Sequence, residues 1–180
     1  LYYGDEIGIA DVQIPPSSIQ DPWAKNEPDV SFNRDQARTP MQWSSGAHAG
    51  FSETAPWLPL TEDYAARNVD CQQEDEGSML SLHSALLSLR ARIDDLRLGD
   101  YHPLDVSGPL VAYRRGEAIA IVLNLSSEDA RLDLPASVRS GEVLLKASNG
   151  TGGGPVPDWI EGDEGLIIAV KRTGGEGKAA

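Results

Sequence analysis

The sequence predicts an α+β chain: a strand end and a long irregular segment, one long helix, then a small antiparallel β-sandwich. Three observations carry this. Residues 4–70 hold neither a helical nor a strand period for any length. Residues 77–98 carry a single apolar stripe at spacings of three and four. The stretch 100–172 then strings together short apolar runs separated by turn residues, with no helix between them.

Of the 180 residues, 40% are apolar, enough for a packed core and against wholesale disorder. The net charge of −13 and a pI near 4.5 argue against nucleic acid and anionic membranes as partners, since both select basic patches. Apolar runs such as 118–123 are far too short to span a bilayer. Cys71 is the single cysteine, which leaves no internal disulfide and no cysteine-rich zinc site and fits a reducing, cytoplasmic setting. His48, His83 and His102 lack metal-ligand spacing, so neither metal nor cofactor is expected.

The start, Leu1-Tyr2-Tyr3, is apolar and β-prone and breaks at Gly4. It reads as the last residues of a strand whose sheet lies elsewhere, so the chain reads as part of something larger. Asp5 and Glu6 follow immediately. Catalytic groups collect just past strand ends in α/β barrels. Neighbours in sequence point apart, however, so the two are not read as an acid/base pair by themselves.

Prolines fall at 15, 16, 22, 28, 40, 56 and 59 of the irregular segment, and tryptophans at 23, 43 and 57. A loop of that length is either functional or disordered, and its aromatic content speaks against disorder. A wall of a binding site and a wandering structural loop both remain open. Within it, Arg34 and Arg38 bracket Asp35. A guanidinium is a rigid fork of donors suited to carboxylates or to neighbouring hydroxyls. Asp35 is an obvious local partner, so an ion-pair network that pins the loop is the alternative to a ligand site. Pro40 fixes the backbone after Arg38, and Met41 and Trp43 supply apolar anchors. The expected picture is a shelf whose apolar end docks and whose arginine end projects.

Met79, Leu82, Leu86, Leu89, Ile93 and Leu96 make the stripe of one helix over 77–98, with Ser78 as N-cap and Gly99 just past its end. Acids at 74–76 and arginines at 90, 92 and 97 suit the helix dipole. His83 is expected beside the stripe. Strands are expected at 109–115, turning at Gly116-Glu117 into 118–126, then at 130–135, 141–148 and 165–172. Leu132 and Leu134 should face inward, Arg131 and Asp133 outward. Residues 173–180 read as a flexible tail.

Taken together, "YYGDEIG", "QDPWAKNEPD", "RDQARTPMQW", "AGFS", "PWLPL", "NVDCQ" and "LLSLRARIDDL" resemble the C-terminal third of α-glucosidases of the maltase and oligo-1,6-glucosidase type, in the α-amylase superfamily, glycoside hydrolase family 13. The order and spacing match along residues 1–98; 100–172 is similar to the family's small C-terminal β-domain only in type. The resemblance implies that residues 1–98 are the end of a (β/α)8 barrel: the end of its last strand, an active-site loop over 4–70, and its last helix. It implies that Arg38 reaches the sugar in subsite −1 and that Arg34 orders the same loop at the rim. Asp5 and Glu6 would brace the strand end. Asp21, Trp23, Asp35 and Trp43 would belong to the pocket wall or its support.

The family's nucleophile, acid/base and transition-state-stabilising carboxylates lie on earlier strands, so no catalytic residue is assigned here and these residues alone are expected to be inactive. The implied partner is a small α-linked oligosaccharide, cleaved with retention through a covalent glucosyl intermediate. Trehalose synthase or isomaltulose synthase-type transglucosylation, or a carbohydrate-binding module working through its tryptophans, are the alternatives. Deprived of a barrel to bury against, residues 1–70 are expected to be mobile or to self-associate.

Overall fold

The computed structural model describes residues 2–27 and 33–171. Outside the described residues lie Leu1 of the expected strand end, the Pro28-Asp29 end of the "QDPWAKNEPD" block, Arg172 and the tail at 173–180. The chain divides into two units, Leu1–Ser81 and Leu82–Ala180.

The first unit is built from turns and short helices: α1 (Pro22–Asn26), α2 (Val69–Gln73) and several single 3-10 turns. Tyr2 and Tyr3 belong to no strand among the described residues. They run into a 3-10 turn at Asp5–Ile7 bounded by Gly4 and Gly8, both with positive φ (95° and 65°). Only glycine suits Gly4: its φ is left-handed, and an added Cβ would lie 2.8 Å from Ile9 Cδ1. Ile7, Met41 and Val69 form a small buried cluster, with Ile9 and Leu80 packed against it. Leu58 and Ile14 are buried as well, and polar side chains add to the holding. Gln42 Nε2 donates to Thr61 Oγ1 (2.6 Å), which donates to Asp63 (2.6 Å), and Asp63 pairs with Arg67 (2.7 Å). Arg67 donates to the carbonyl of Gly8 (3.1 Å) and Gln72 to that of Ile7 (2.9 Å). Backbone groups in a segment without ladders still need partners, and side chains provide them here.

The expected single helix is two. Helix α3 spans Met79–Arg92 and α4 spans Asp94–Leu98. Ser78 caps the first as expected, accepting from Ser81 N at 3.1 Å. The break is Ile93, extended at φ −113°, ψ 109°. Asp94 and Asp95 explain it: aspartate is a poor interior helix residue but a favoured first-turn one, so the chain restarts there. Asp95 also accepts from Ala118 N at 2.8 Å. Of the stripe, Leu89 and Leu96 are buried, whereas Met79 (50%) and Leu86 (38%) are exposed.

The second unit centres on a five-stranded antiparallel sheet in the order β1-β2-β3-β7-β5, with a two-stranded ribbon, β4-β6. The strands are β1 (Tyr101–Pro103), β2 (Leu110–Arg115), β3 (Ile119–Asn124), β4 (Ala130–Arg131), β5 (Glu142–Lys146), β6 (Trp159–Ile160) and β7 (Gly165–Ala169); helix α5 (Ala136–Arg139) lies between β4 and β5. The β2-β3 hairpin forms where the sequence put it, with Arg115 opposite Ile119. β3 is buried on both faces, as its unbroken apolar run predicts. One face (Ala120, Val122, Leu166, Ile168) packs with Leu132, Val138, Val156 and Ile160. The other face (Ile119, Ile121, Ile167) packs with Leu89 and Leu96 of the helices. The sandwich is therefore unequal: a two-residue ribbon covers one side and helix the other. The 130–135 run forms a strand only at Ala130–Arg131, with one further bond from Leu132 N, because Pro135 opens α5. Its inward and outward sides are as expected, with Leu132 buried and Arg131 and Asp133 exposed.

Candidate functional site

Two buried aspartates organise the arginine block. Asp21 is the N-cap of α1, with Pro22 at the first helical position. It accepts from Trp23 N (3.2 Å) and Arg34 N (3.0 Å), and Arg34 Nε and Nη2 fork onto the same carboxylate (3.0 and 2.5 Å). Asp35 accepts from Gln20 N (2.6 Å) and Asp21 N (2.9 Å) and pairs with Arg38 Nη1 (3.3 Å). Both carboxylates are 0% exposed, while each arginine side chain is 45% exposed. The hydrogen bond from the Arg34 guanidinium, joined by the N–H groups of Arg34 and Trp23, overrides burial and holds the Asp21 carboxyl well below the usual carboxylate range. Arg34 is pushed up in return.

A cleft of about 380 Å3 opens beside this clasp, lined by Arg34, Arg38, Tyr2, Asp11, Asn33 and Gln36 among others. Arg38 makes no hydrogen bond other than that to Asp35 among the described residues. Its side chain is 45% exposed and lines the cleft together with polar groups. Neutral hydroxyls fit such a place: the guanidinium donates, and Asp11 and the Asn33 and Gln36 amides can accept.

The eight residues singled out from the sequence distribute unevenly. Arg34, Arg38, Asp21 and Asp35 come together. Trp23 sits on α1 over a shallow hollow of its own, 53% exposed. Asp5 and Glu6 turn to local backbone, accepting from Tyr2 N (3.1 Å) and Gly4 N (2.8 Å). Asp5 also lines a smaller cavity of about 180 Å3 with Tyr2, Asp11 and Gln36. Trp43 departs from expectation. Met41 docks at 5% exposure, but the Trp43 indole is 50% exposed. What is fixed is the Trp43 backbone: its N–H donates to Ala49 O (2.9 Å) and its carbonyl accepts from Asp70 N (3.0 Å). The turn that presents Ala49 O holds His48 and Ala49 at φ 53° and 56°, a strained conformation for non-glycine residues.

Asp11, Tyr2 and Gln36 were missed by sequence reasoning. No spacing rule links residue 11 to residue 38, and only the fold brings them to one cleft. The pairing of Arg34 with Asp21 instead of the adjacent Asp35 was missed as well. The Asp-Pro step of a capped helix start was the available signal.

Residues 1–99 match the family model described as alpha amylase, catalytic domain. This chain belongs to the alpha-amylase family. Among its relatives is the salivary alpha-glucosidase of Aedes aegypti, 34% identical over 93% of this chain and 30% of that protein. Another is the probable oligo-1,6-glucosidase 2 of Bacillus subtilis, 37% identical over 67% of this chain and 22% of that protein. A solved trehalulose synthase of Pseudomonas mesoacidophila superposes with a TM-score of 0.81, at 26% identity over 93% of this chain and 34% of its own. The chain thus spans about a third or less of the alpha-amylase-family proteins it matches. Among the described residues no helix is long and apolar enough to cross a membrane.

Proposed function

We propose that these residues form the C-terminal part of a cytoplasmic, retaining α-glucosidase that releases α-linked glucose from small oligosaccharides. In this reading residues 1–98 complete a (β/α)8 barrel, the segment 4–70 overlies its active-site mouth, and the β-domain stabilises it. The observation that supports it is the cleft lined by Arg38, a half-exposed arginine that gives one N–H to a buried carboxylate. Arg38 donates to hydroxyls of the glucose in subsite −1, and Arg34, locked to Asp21, fixes the rim. Asp5 and Glu6 brace the strand end, and Trp23 and Trp43 belong to the pocket wall.

The chemistry needs a nucleophile and an acid/base carboxylate facing one another across the scissile bond. Asp21 and Asp35 are unsuited to either role. Each is fully buried and committed to a guanidinium and to amide N–H groups. Following the family resemblance, the reacting carboxylates are assigned to other parts of the enzyme, and residues 1–180 alone are expected to be inactive.

In the full-length enzyme, Arg38→Ala should raise KM for maltose or isomaltose about tenfold or more, the value of hydrogen bonds from a charged donor. An unchanged KM would remove Arg38 from the substrate. A second reading, glucosyl transfer to a sugar acceptor, is favoured by the likeness to the trehalulose synthase. It predicts isomerised disaccharide among the products of a sucrose digest.

A further inference from the structure

The ribbon of the β-domain carries an aromatic side chain that is more than half exposed. Ala130 pairs with Ile160 and Arg131 with Trp159. The inward side of this ribbon is core: Ile160 is 1% and Leu132 5% exposed. Trp159 is 58% exposed, and Arg131, directly across from it, is exposed too. Residues directly opposite on paired strands project to the same face. The outer face therefore presents an indole beside a guanidinium, with the exposed carboxylates of Asp129, Asp133 and Glu161 at the ends of the two strands.

The mounting is rigid. Leu132 N donates to Asp158 O at 2.9 Å, closing the ladder before Trp159. Arg139 of α5 clamps the approach to β6. It donates to Val156 O (3.1 Å) and to Pro157 O, and it pairs with the Asp158 carboxylate. A wet tryptophan on a mobile loop is ordinary surface. A wet tryptophan whose backbone is held by a ladder and a three-point arginine clamp is already ordered for a ligand, so little entropy is lost on binding.

We propose that Trp159 and Arg131 form an auxiliary saccharide-binding platform, separate from the Arg38 cleft, on which one glucose ring of an α-glucan stacks. Size decides against a protein partner. A stable interface needs roughly 800 Å2 from each side with an apolar centre. Here a single indole lies among charged groups on strands of two residues each. One pyranose ring covers one indole, and its hydroxyls reach the guanidinium on one side and carboxylates on the other. The choice of an α-glucan rests on the function proposed above; the platform geometry does not.

The test is calorimetric titration of the full-length protein with maltoheptaose while an iminosugar inhibitor saturates the hydrolytic site. Trp159→Ala should weaken the remaining binding about fivefold to tenfold, with Trp159→Tyr losing less, in line with the worth of an aromatic contact. Hydrolysis of a small chromogenic α-glucoside should be unchanged in both. Binding unaltered by Trp159→Ala, or no binding by the inhibited wild type, overturns the platform. So does a self-association, seen by sedimentation, that Trp159→Ala abolishes while maltoheptaose binding stays the same. A protein that binds maltoheptaose through Trp159 yet cleaves no α-glucoside keeps the platform and removes the enzymatic reading.

Discussion

Asp21 and Asp35 cap each other's segments. Asp35 Oδ2 accepts from Asp21 N at 2.9 Å, while Asp21 Oδ2 accepts from Arg34 N, next to Asp35, at 3.0 Å. Each carboxylate also holds an arginine on its solvent side. The stretches around Asp21 and Asp35 are thereby sewn together at three backbone N–H groups, those of Gln20, Asp21 and Arg34. The ion-pair network and the binding-site reading of the sequence are thus compatible: the same carboxylates that pin the loop aim the guanidinium groups.

Asp35→Ala removes the acceptor for two amides and the partner of Arg38 at once. Leaving such groups unpaired costs about 2–4 kcal/mol, so the denaturant midpoint should fall with the m-value unchanged. Asp35→Asn retains an acceptor oxygen and should lose clearly less. Equal midpoints for Asp35→Ala and the wild type would show the clasp to be slack.

The pH dependence has a definite sign. The Asp21 carboxyl is held below its unfolded range, chiefly by the Arg34 hydrogen bond. It contributes stability in full above the unfolded carboxylate value, and that contribution is lost as pH falls below about 4 towards the folded value. Wild type minus Asp21→Asn stability, measured by thermal melts, should be largest at neutral pH and shrink in acid. A difference that is flat from pH 7 to pH 2.5 would contradict this origin.

How much the sequence disclosed follows from which forces act locally. The β2-β3 hairpin was legible because alternation, a Gly-Glu turn and an all-apolar return strand agree on one register. The α3-α4 break was not, because the apolar stripe runs through it at helical spacing and the aspartates outweigh it only in tertiary context, where Asp95 finds Ala118. β1 and β6 were invisible. Tyr101–Pro103 is exposed throughout and Trp159–Ile160 is two residues long, so neither carries a period. In the site, the arginines were legible as donors. Asp35 was legible as a local partner, and it pairs with Arg38. The pairing of Arg34 with Asp21 was not legible, since contacts set by chain reversal leave no spacing.

Gly116 tests the α4 junction. It sits at φ 55°, and a Cβ there would lie 2.5 Å from the carboxyl carbon of Asp95. Gly116→Ala must strain the turn and push Asp95 off Ala118 N. A loss of about 1–3 kcal/mol is expected. Thermal unfolding with no decrease in Tm would mean that the Asp95 bond is dispensable.

The two arginines should separate under the same conservative change. Arg34 places three N–H groups, one from the backbone and two from the side chain, on one buried carboxylate. An ammonium cannot reproduce a forked contact, so Arg34→Lys should lower Tm first, with KM rising as a consequence. Arg38 gives Asp35 a single bond at 3.3 Å and lines the cleft. Arg38→Lys keeps the charge beside Asp35, so Tm in the full-length enzyme should stay within about 2 °C while KM for maltose rises about tenfold. Two variants that lose stability alike with KM unmoved would assign both arginines to loop pinning and leave the cleft without a ligand role.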